Sequence, residues 1–215
     1  MITTITDYFE ALSADEILQE PAGKWGDSAL LDVLELFAEL DDTKRQTAVL
    51  ELILSSPDNN IEMVNYEELY DDLIYTYINQ AHYNKAAYWT FAALAYEIRH
   101  HNSLTTIQYL KRALIEIYLG QKEYEAALQL ATRLLQTNPA DYWTHNTLAL
   151  ILPQANLTNL AIAALERALE LAKTDDPDGI RSQLQSLYDT LTKTAVSPPP
   201  SIHPKTRAQF HAALT

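Results

Sequence analysis

The sequence predicts an all-α protein: an α-solenoid of antiparallel helix pairs preceded by a small N-terminal helical region. Three observations predict it. Helix-favouring Ala, Leu, Gln and Glu dominate, while glycine is held to 4 residues in 215. Apolar residues recur at helical rather than alternating spacing. Segments beginning at Glu67, Gln108 and Tyr142 also match one another column by column, the signature of an internal repeat. The organisation that follows is a helical region over 1–62, a repeat domain over 63–194 and a Pro-rich flexible tail over 195–215.

The N-terminal region reads as short helices. Thr6 is placed to cap a first one through Leu12, and Ser13-Ala-Asp-Glu16 has the spacing of a capping box for a second. Pro21-Ala-Gly-Lys-Trp-Gly26 is a loop, punctuated by a proline and two glycines. Asp27 opens a helix with Leu30, Leu31, Leu34, Phe37 and Ala38 on one face. Asp41-Asp42 breaks it, and Thr43 opens another that carries Ala48, Val49, Leu52 and Ile53. So short a connection makes these two an antiparallel hairpin. Ser55-Ser-Pro-Asp-Asn-Asn60 is the next break and a candidate subdomain boundary.

From about residue 65 the pattern becomes regular. Asn65 with Glu68 opens a helix to about Gln80; others run from Asn84 to His100, Ser103 to Leu119 and Lys122 to Thr137. Further helices run from Asp141 to Leu152, Leu157 to Lys173 and about Asp178 to Lys193. Asn156-Leu-Thr158 matches a glycosylation acceptor but reads as the cap of the helix after Pro153. Beyond Ser197-Pro-Pro-Pro200 and Pro204 the chain reads as a tail, with Phe210 and Leu214 spaced for a brief amphipathic turn.

The second and third repeat segments are offset by 34 residues and the first sits 41 before the second, with extra residues around His100–Thr106. In the first helix of each pair Leu73, Leu114 and Leu148 coincide, then Ile74, Ile115 and Ala149, then Tyr77, Tyr118 and Leu152. In the second helix Ala86, Ala127 and Ala161 coincide, then Thr90, Ala131 and Leu165, then Ala93, Leu134 and Ala168. Small residues let paired helices approach closely, and large ones fill the gaps between pairs. The last helix, with Arg181, Gln183, Gln185 and Lys193, suits a solvating cap.

Over about residues 66–194 the chain resembles the tetratricopeptide repeat family. The best unit is Gln108–Asp141, with Leu114, Tyr118, Tyr124, Ala127 and Pro139 at the family's preferred positions. Tyr142–Asp175 has Leu152 for the usual Tyr and Lys173 for the usual Pro. Glu67–His100 keeps Tyr77, Tyr83 and Ala86 but has Ile98 where Pro would fall. The resemblance implies a partner peptide or helix in a concave groove lined by the first helix of each pair. By position that groove presents Glu68, Asp71 and Tyr75, then Tyr109, Arg112 and Glu116, then Trp143, Asn146 and Leu150. The family's carboxylate clamp of Lys, Arg and Asn is not reproduced. Only Arg112 and Asn146 have suitable chemistry, and Glu68 and Asp71 carry the wrong sign. A basic or amphipathic protein partner fits better than a chaperone's acidic tail.

Composition narrows the function classes. With no cysteine, disulfides, thiolate nucleophiles and Cys-based zinc sites are excluded. The formal net charge of −14 sits entirely in residues 1–100, with 5 Lys and Arg against 19 Asp and Glu; residues 101–215 carry 10 of each. That argues against nucleic acid, whose phosphates the acidic half would repel. MITTITDYFEAL lacks the marks of a signal peptide and no apolar run approaches a membrane span, so the expectation is cytoplasmic. Glu97-x-x-His100 with His101 has no second copy to complete a carboxylate-bridged metal site, and no phosphate loop or nucleophile elbow occurs. No catalytic, cofactor or metal site is therefore expected.

Trp143 reads as groove anchor or packing residue with equal force, while Asp71-Asp72 and most of the tyrosines between Tyr66 and Tyr96 suit a solvated face and a core. The expected function is a non-catalytic interaction module: an adaptor, assembly factor or client-specific chaperone. The alternatives are a self-associating scaffold, its groove filled by its own tail or a second copy, and an enzyme with an unrecognised site.

Overall fold

The computed structural model describes residues 4–55, 65–172, 180–193 and 200–214, and within them the chain is all-helical. Twelve α-helices are found among the described residues: α1 Ile5–Glu10, α2 Ala14–Ile17, α3 Asp27–Glu39, α4 Thr43–Leu54, α5 Tyr66–Asn79, α6 Tyr83–His100, α7 Leu104–Gly120, α8 Tyr124–Thr137, α9 Tyr142–Ile151, α10 Thr158–Leu171, α11 Ile180–Lys193 and α12 Pro204–Leu214. A short 3₁₀ turn, Leu152–Ala155, extends α9. No described helix is long and apolar enough to cross a membrane. The expected boundary near residue 62, the start of the last repeat helix near Asp178 and the 195–199 part of the tail lie outside the described residues. The chain divides into two compact units, Met1–Ala93 and Leu94–Thr215, with the division inside α6.

In the first unit, α3 and α4 pair and α5 packs on α4. Their apolar faces bury Phe9, Ile17, Val33, Phe37, Val49, Ile53 and Leu73 completely. The face of α3 is Leu30, Val33 and Phe37; Ala38, expected on it, is exposed and Leu31 and Leu34 are half-buried. Val33 lies four residues before Phe37, which puts both on the stripe that meets α4. The first cap is Thr4 rather than Thr6, because Thr4 Oγ1 accepts the Asp7 N–H at 3.1 Å while the Asp7 carboxylate accepts the Thr4 N–H at 3.0 Å. Ser13 and Glu16 form the expected capping box. α3 starts after Gly26, leaving Asp27 buried at 4% exposure, where it accepts a hydrogen bond from the Tyr66 hydroxyl.

One carboxylate organises the Pro21–Gly26 loop. Glu20 accepts hydrogen bonds from Tyr8 Oη at 2.7 Å, Lys24 Nζ at 2.7 Å and Trp25 Nε1 at 2.9 Å. Lys24 lies 4.6 Å over the Trp25 ring, and Tyr8 packs 5.2 Å from the same ring. Donation from Lys24, then Tyr8, then Trp25 lowers the Glu20 carboxyl to about 2.

A single turn geometry joins the members of four helix pairs. Asp41, Ala81, Lys122 and Asn156 each adopt a left-handed conformation, with φ of 57°, 57°, 65° and 58°. In every case that residue's N–H bonds the carbonyl three residues back: Ala38, Ile78, Leu119 and Pro153. The next N–H bonds a carbonyl five residues back, on Phe37, Tyr77, Tyr118 and Leu152. This closes the orphan carbonyls of the first helix and reverses the chain in two or three residues. Asn102, also left-handed, lacks the three-back bond, so the α6–α7 junction is a different turn. Asn156 therefore makes the turn and does not cap α10, whose N-cap, Leu157, makes no side-chain cap bond.

Counted from these turns, the α3–α4 pair shares the columns found in the later pairs. Val33 occupies the place of Leu73, Leu114 and Leu148; Phe37 that of Tyr77, Tyr118 and Leu152; Leu50 and Ile53 those of Thr90 and Ala93. Val33, Phe37 and Ile53 are all 0% exposed. The alanine column departs there: Ala86, Ala127 and Ala161 are fully buried, whereas the α4 counterpart, Gln46, is half-buried.

In the second unit α7 pairs with α8, α9 with α10, and α11 packs on α10. Leu114, Leu128, Ala131, Leu135, Leu148, Ala164, Leu165 and Ala168 form its core. His145 is fully buried; its Nε2 donates to the Pro139 carbonyl at 2.9 Å, tying α9 to the α8–α9 connection. Burial lowers its pKa, and Nδ1 has no hydrogen-bond partner among the described residues, as suits a neutral ring. On α11, Leu184 and Leu191 are buried while Arg181, Gln183, Gln185 and Lys193 face water.

The flexible-tail expectation is corrected over Pro204–Leu214, which form α12 against α8 and α10. Phe210 is 0% and Leu214 3% exposed, inside the same core cluster as Leu128 and Leu165. Glu125 on α8 fixes the start of α12 by accepting from the Thr206 side chain and the His203 N–H, which lower its pKa in that order. Pro204 fits there because the first position of a helix has no use for an N–H. Fully burying Phe and Leu contributes about 1.5–3 kcal/mol each to holding α12 there.

Candidate partner-binding face

On α5, Glu68, Asp71 and Tyr75 fall at i, i+3 and i+7, one helix face. Glu68 is exposed and its carboxylate accepts the Asn65 amide at 3.2 Å; Asp71 and Tyr75 are half-buried. The neighbouring Asp72 carboxyl is raised by desolvation, then by Asp71 and Glu68. These like charges make the α5 face cation-seeking. Of the seven tyrosines between Tyr66 and Tyr96, Tyr66, Tyr70 and Tyr77 are core residues, while Tyr88 is 66% exposed.

In the second unit the same spacing sets Tyr109, Arg112 and Glu116 along α7, and Trp143, Asn146 and Leu150 along α9. α7 and α9 are in contact. The side chain that closes the gap between them is Arg112: its Nη1 lies 3.2 Å from Asp141 Oδ2, in an ion pair with 12% and 13% of the two side chains exposed. Asp141 also accepts from the Thr144 hydroxyl, and the Arg112 guanidinium lies 5.9 Å from the Tyr109 ring. Arg112, expected as a groove position, has its charge balanced by Asp141. Asp141 was legible only as a helix start; its spacing from Arg112 across two helices carries no local sequence signal.

Trp143 is 58% and Leu150 51% exposed, two turns apart on α9. Trp143 rests edge-on against Tyr142 at 5.3 Å. Asn146 lies half-buried between them, and Tyr109 and Glu116 are half-buried on α7. Burial raises the Glu116 carboxyl above its ordinary value. The structure therefore sets six of the predicted positions on two touching helices, with exposed apolar side chains on one and a buried ion pair at the join.

Of the tail, the described helix α12 lies against α8 and α10, the second members of the two pairs. Elsewhere, Ser182, Gln185, Ser186, Asp189, Thr190 and Lys193 line a depression of about 770 Å³ along α11. Comparison with family models, with curated proteins and with solved structures returns no match for this chain.

Proposed function

We propose that the chain is a non-catalytic protein-interaction module of tetratricopeptide-like helix pairs, holding a peptide or helix of another protein across the first helices of successive pairs. The observation that carries this reading is the recurring turn at Asp41, Ala81, Lys122 and Asn156. The last three sit 41 and 34 residues apart, the offsets of the sequence repeat, and the first extends the series to the α3–α4 pair. A chain that rebuilds one hairpin four times multiplies similar helix faces, which suits the grip of an extended ligand. The exposed Trp143 and Leu150 on α9 are favourable anchor chemistry, since aromatic residues dominate interface energetics. Adaptor, assembly factor and client-specific chaperone are versions of the same activity.

The test is a crosslinked pull-down from the native host, read by mass spectrometry, with wild type and a Trp143→Ser, Leu150→Ser double variant. Both side chains are largely in water, so the variant should keep its circular dichroism spectrum and melting point. A stoichiometric partner lost from the folded variant is the expected result. A partner retained would move binding off α9, and recovery of the protein alone would favour the self-associating scaffold.

A further inference from the structure

We infer that the occupant of the α7–α9 face is a basic amphipathic segment, one Lys or Arg set among apolar side chains, with the cation seated on Glu116. The inference rests on the binding-face reading above and names the partner's chemistry.

Charge accounting leads there. Among the six positions on this face, Arg112 and Glu116 are the only ionised ones. Arg112 is neutralised by Asp141 at 3.2 Å and is therefore not available to an incoming acid. Glu116, one turn further along α7, makes no hydrogen bond or ion pair with any described residue, and water covers only part of it. A half-buried carboxylate without a partner is held at a cost, which an incoming cation removes. An anionic or purely apolar partner would deepen that cost instead. Specificity thus works in both directions: a cation is attracted and an acid is repelled.

The apolar part of the partner follows from α9. Trp143 and Leu150 are separated by two helical turns, about 10 Å of rise. Asn146 between them offers both a donor and an acceptor to polar groups of the bound segment. Glu116 stands on α7 at the repeat position that Leu150 holds on α9, 34 residues on. A segment crossing from α9 to α7 would therefore pass from apolar contacts to the carboxylate.

The probe is a random 12-residue peptide library displayed on phage and panned against the full chain. Enriched peptides are then synthesised with a fluorophore and titrated by anisotropy. Enriched sequences should share a Lys or Arg flanked by apolar residues, and Trp143→Ala should weaken them. Glu116→Gln, which keeps size and removes charge, should weaken binding about tenfold or more. Replacing the peptide's Arg by citrulline should cost a similar factor in wild type and little further in Glu116→Gln. Peptides that need Trp143 but lack a cation, or ignore Glu116→Gln, overturn the inference and leave the binding face standing. If no enriched peptide is sensitive to Trp143→Ala, both fall.

Discussion

Replacing Phe210 with alanine removes a ring that is 0% exposed and lies in the core cluster of the second unit, beside α8 and α10. Truncating a buried phenylalanine costs about 3–5 kcal/mol, from lost transfer free energy and the cavity left behind. The ceiling is the docking free energy of α12, because the variant can undock the helix rather than keep the void. For a chain of this size each kcal/mol lowers the melting point by about 2–4 °C, so the drop expected is about 6–20 °C. A thermal melt followed by far-UV circular dichroism measures it, and hydrogen exchange over 204–214 separates the two responses. A cavity leaves those amides protected with a lower global midpoint. Undocking abolishes their protection and spares α7–α10. Gln209→Ala, exposed on the same helix, is the control and should shift stability by less than about 0.5 kcal/mol. If Phe210→Ala matches that control in midpoint and exchange, residues 204–214 are a tail and the packing argued for them is wrong.

Ala127→Leu forces extra carbons into a fully buried contact between α7 and α8, and should cost roughly 1–3 kcal/mol by thermal melt; unchanged stability would defeat the repeat register. Ala81 sits at φ 57°, where a side chain costs about 1–2 kcal/mol, against about 0.5–1 kcal/mol for the extra freedom of glycine in the unfolded chain. Ala81→Gly should therefore stabilise slightly and Ala81→Val should destabilise, which a denaturation series would read. Glu20, ordinarily at 4.5, is held near 2 in the fold, so its contribution is complete above about pH 4.5 and disappears as pH falls toward 2. A carbon-13 NMR titration should place its midpoint near 2, with Trp25 fluorescence changing in the same range; a midpoint near 4.5 would mean the loop network is not formed.

Most helices were legible because their signals are local. Ser13 with Glu16 and Asn65 with Glu68 cap where their spacing says, and the alanine columns at Ala86, Ala127 and Ala161 are buried to the last atom. The α3–α4 pair escaped the repeat alignment because Gln46 stands in place of the alanine and Val33 of the leucine; its likeness to the later pairs lies in the backbone bonds at Asp41. α12 was missed for a different reason. Its eleven residues carry only Phe210 and Leu214 as large apolar groups and follow a proline cluster, so propensity and periodicity both speak for a tail. Its order comes from α8 and α10, distant in sequence. The positions of the candidate face could be carried over by repeat register, but the neutralisation of Arg112 and the isolation of Glu116 are tertiary facts.

The contact of α12 with α8 sets a schedule for synthesis. His203 meets Glu125 across 78 residues of chain. A ribosome adding about 5–20 residues per second would take roughly 4–16 s to bridge that span. During that interval α7 to α10 can pair with their neighbours, yet the apolar surface reserved for Phe210 and Leu214 stays open. That patch of the nascent chain therefore stays adhesive until α12 emerges, and a product stalled before α12 would retain that adhesiveness. The exposure lasts only for those seconds, and docking of Phe210 and Leu214 ends it.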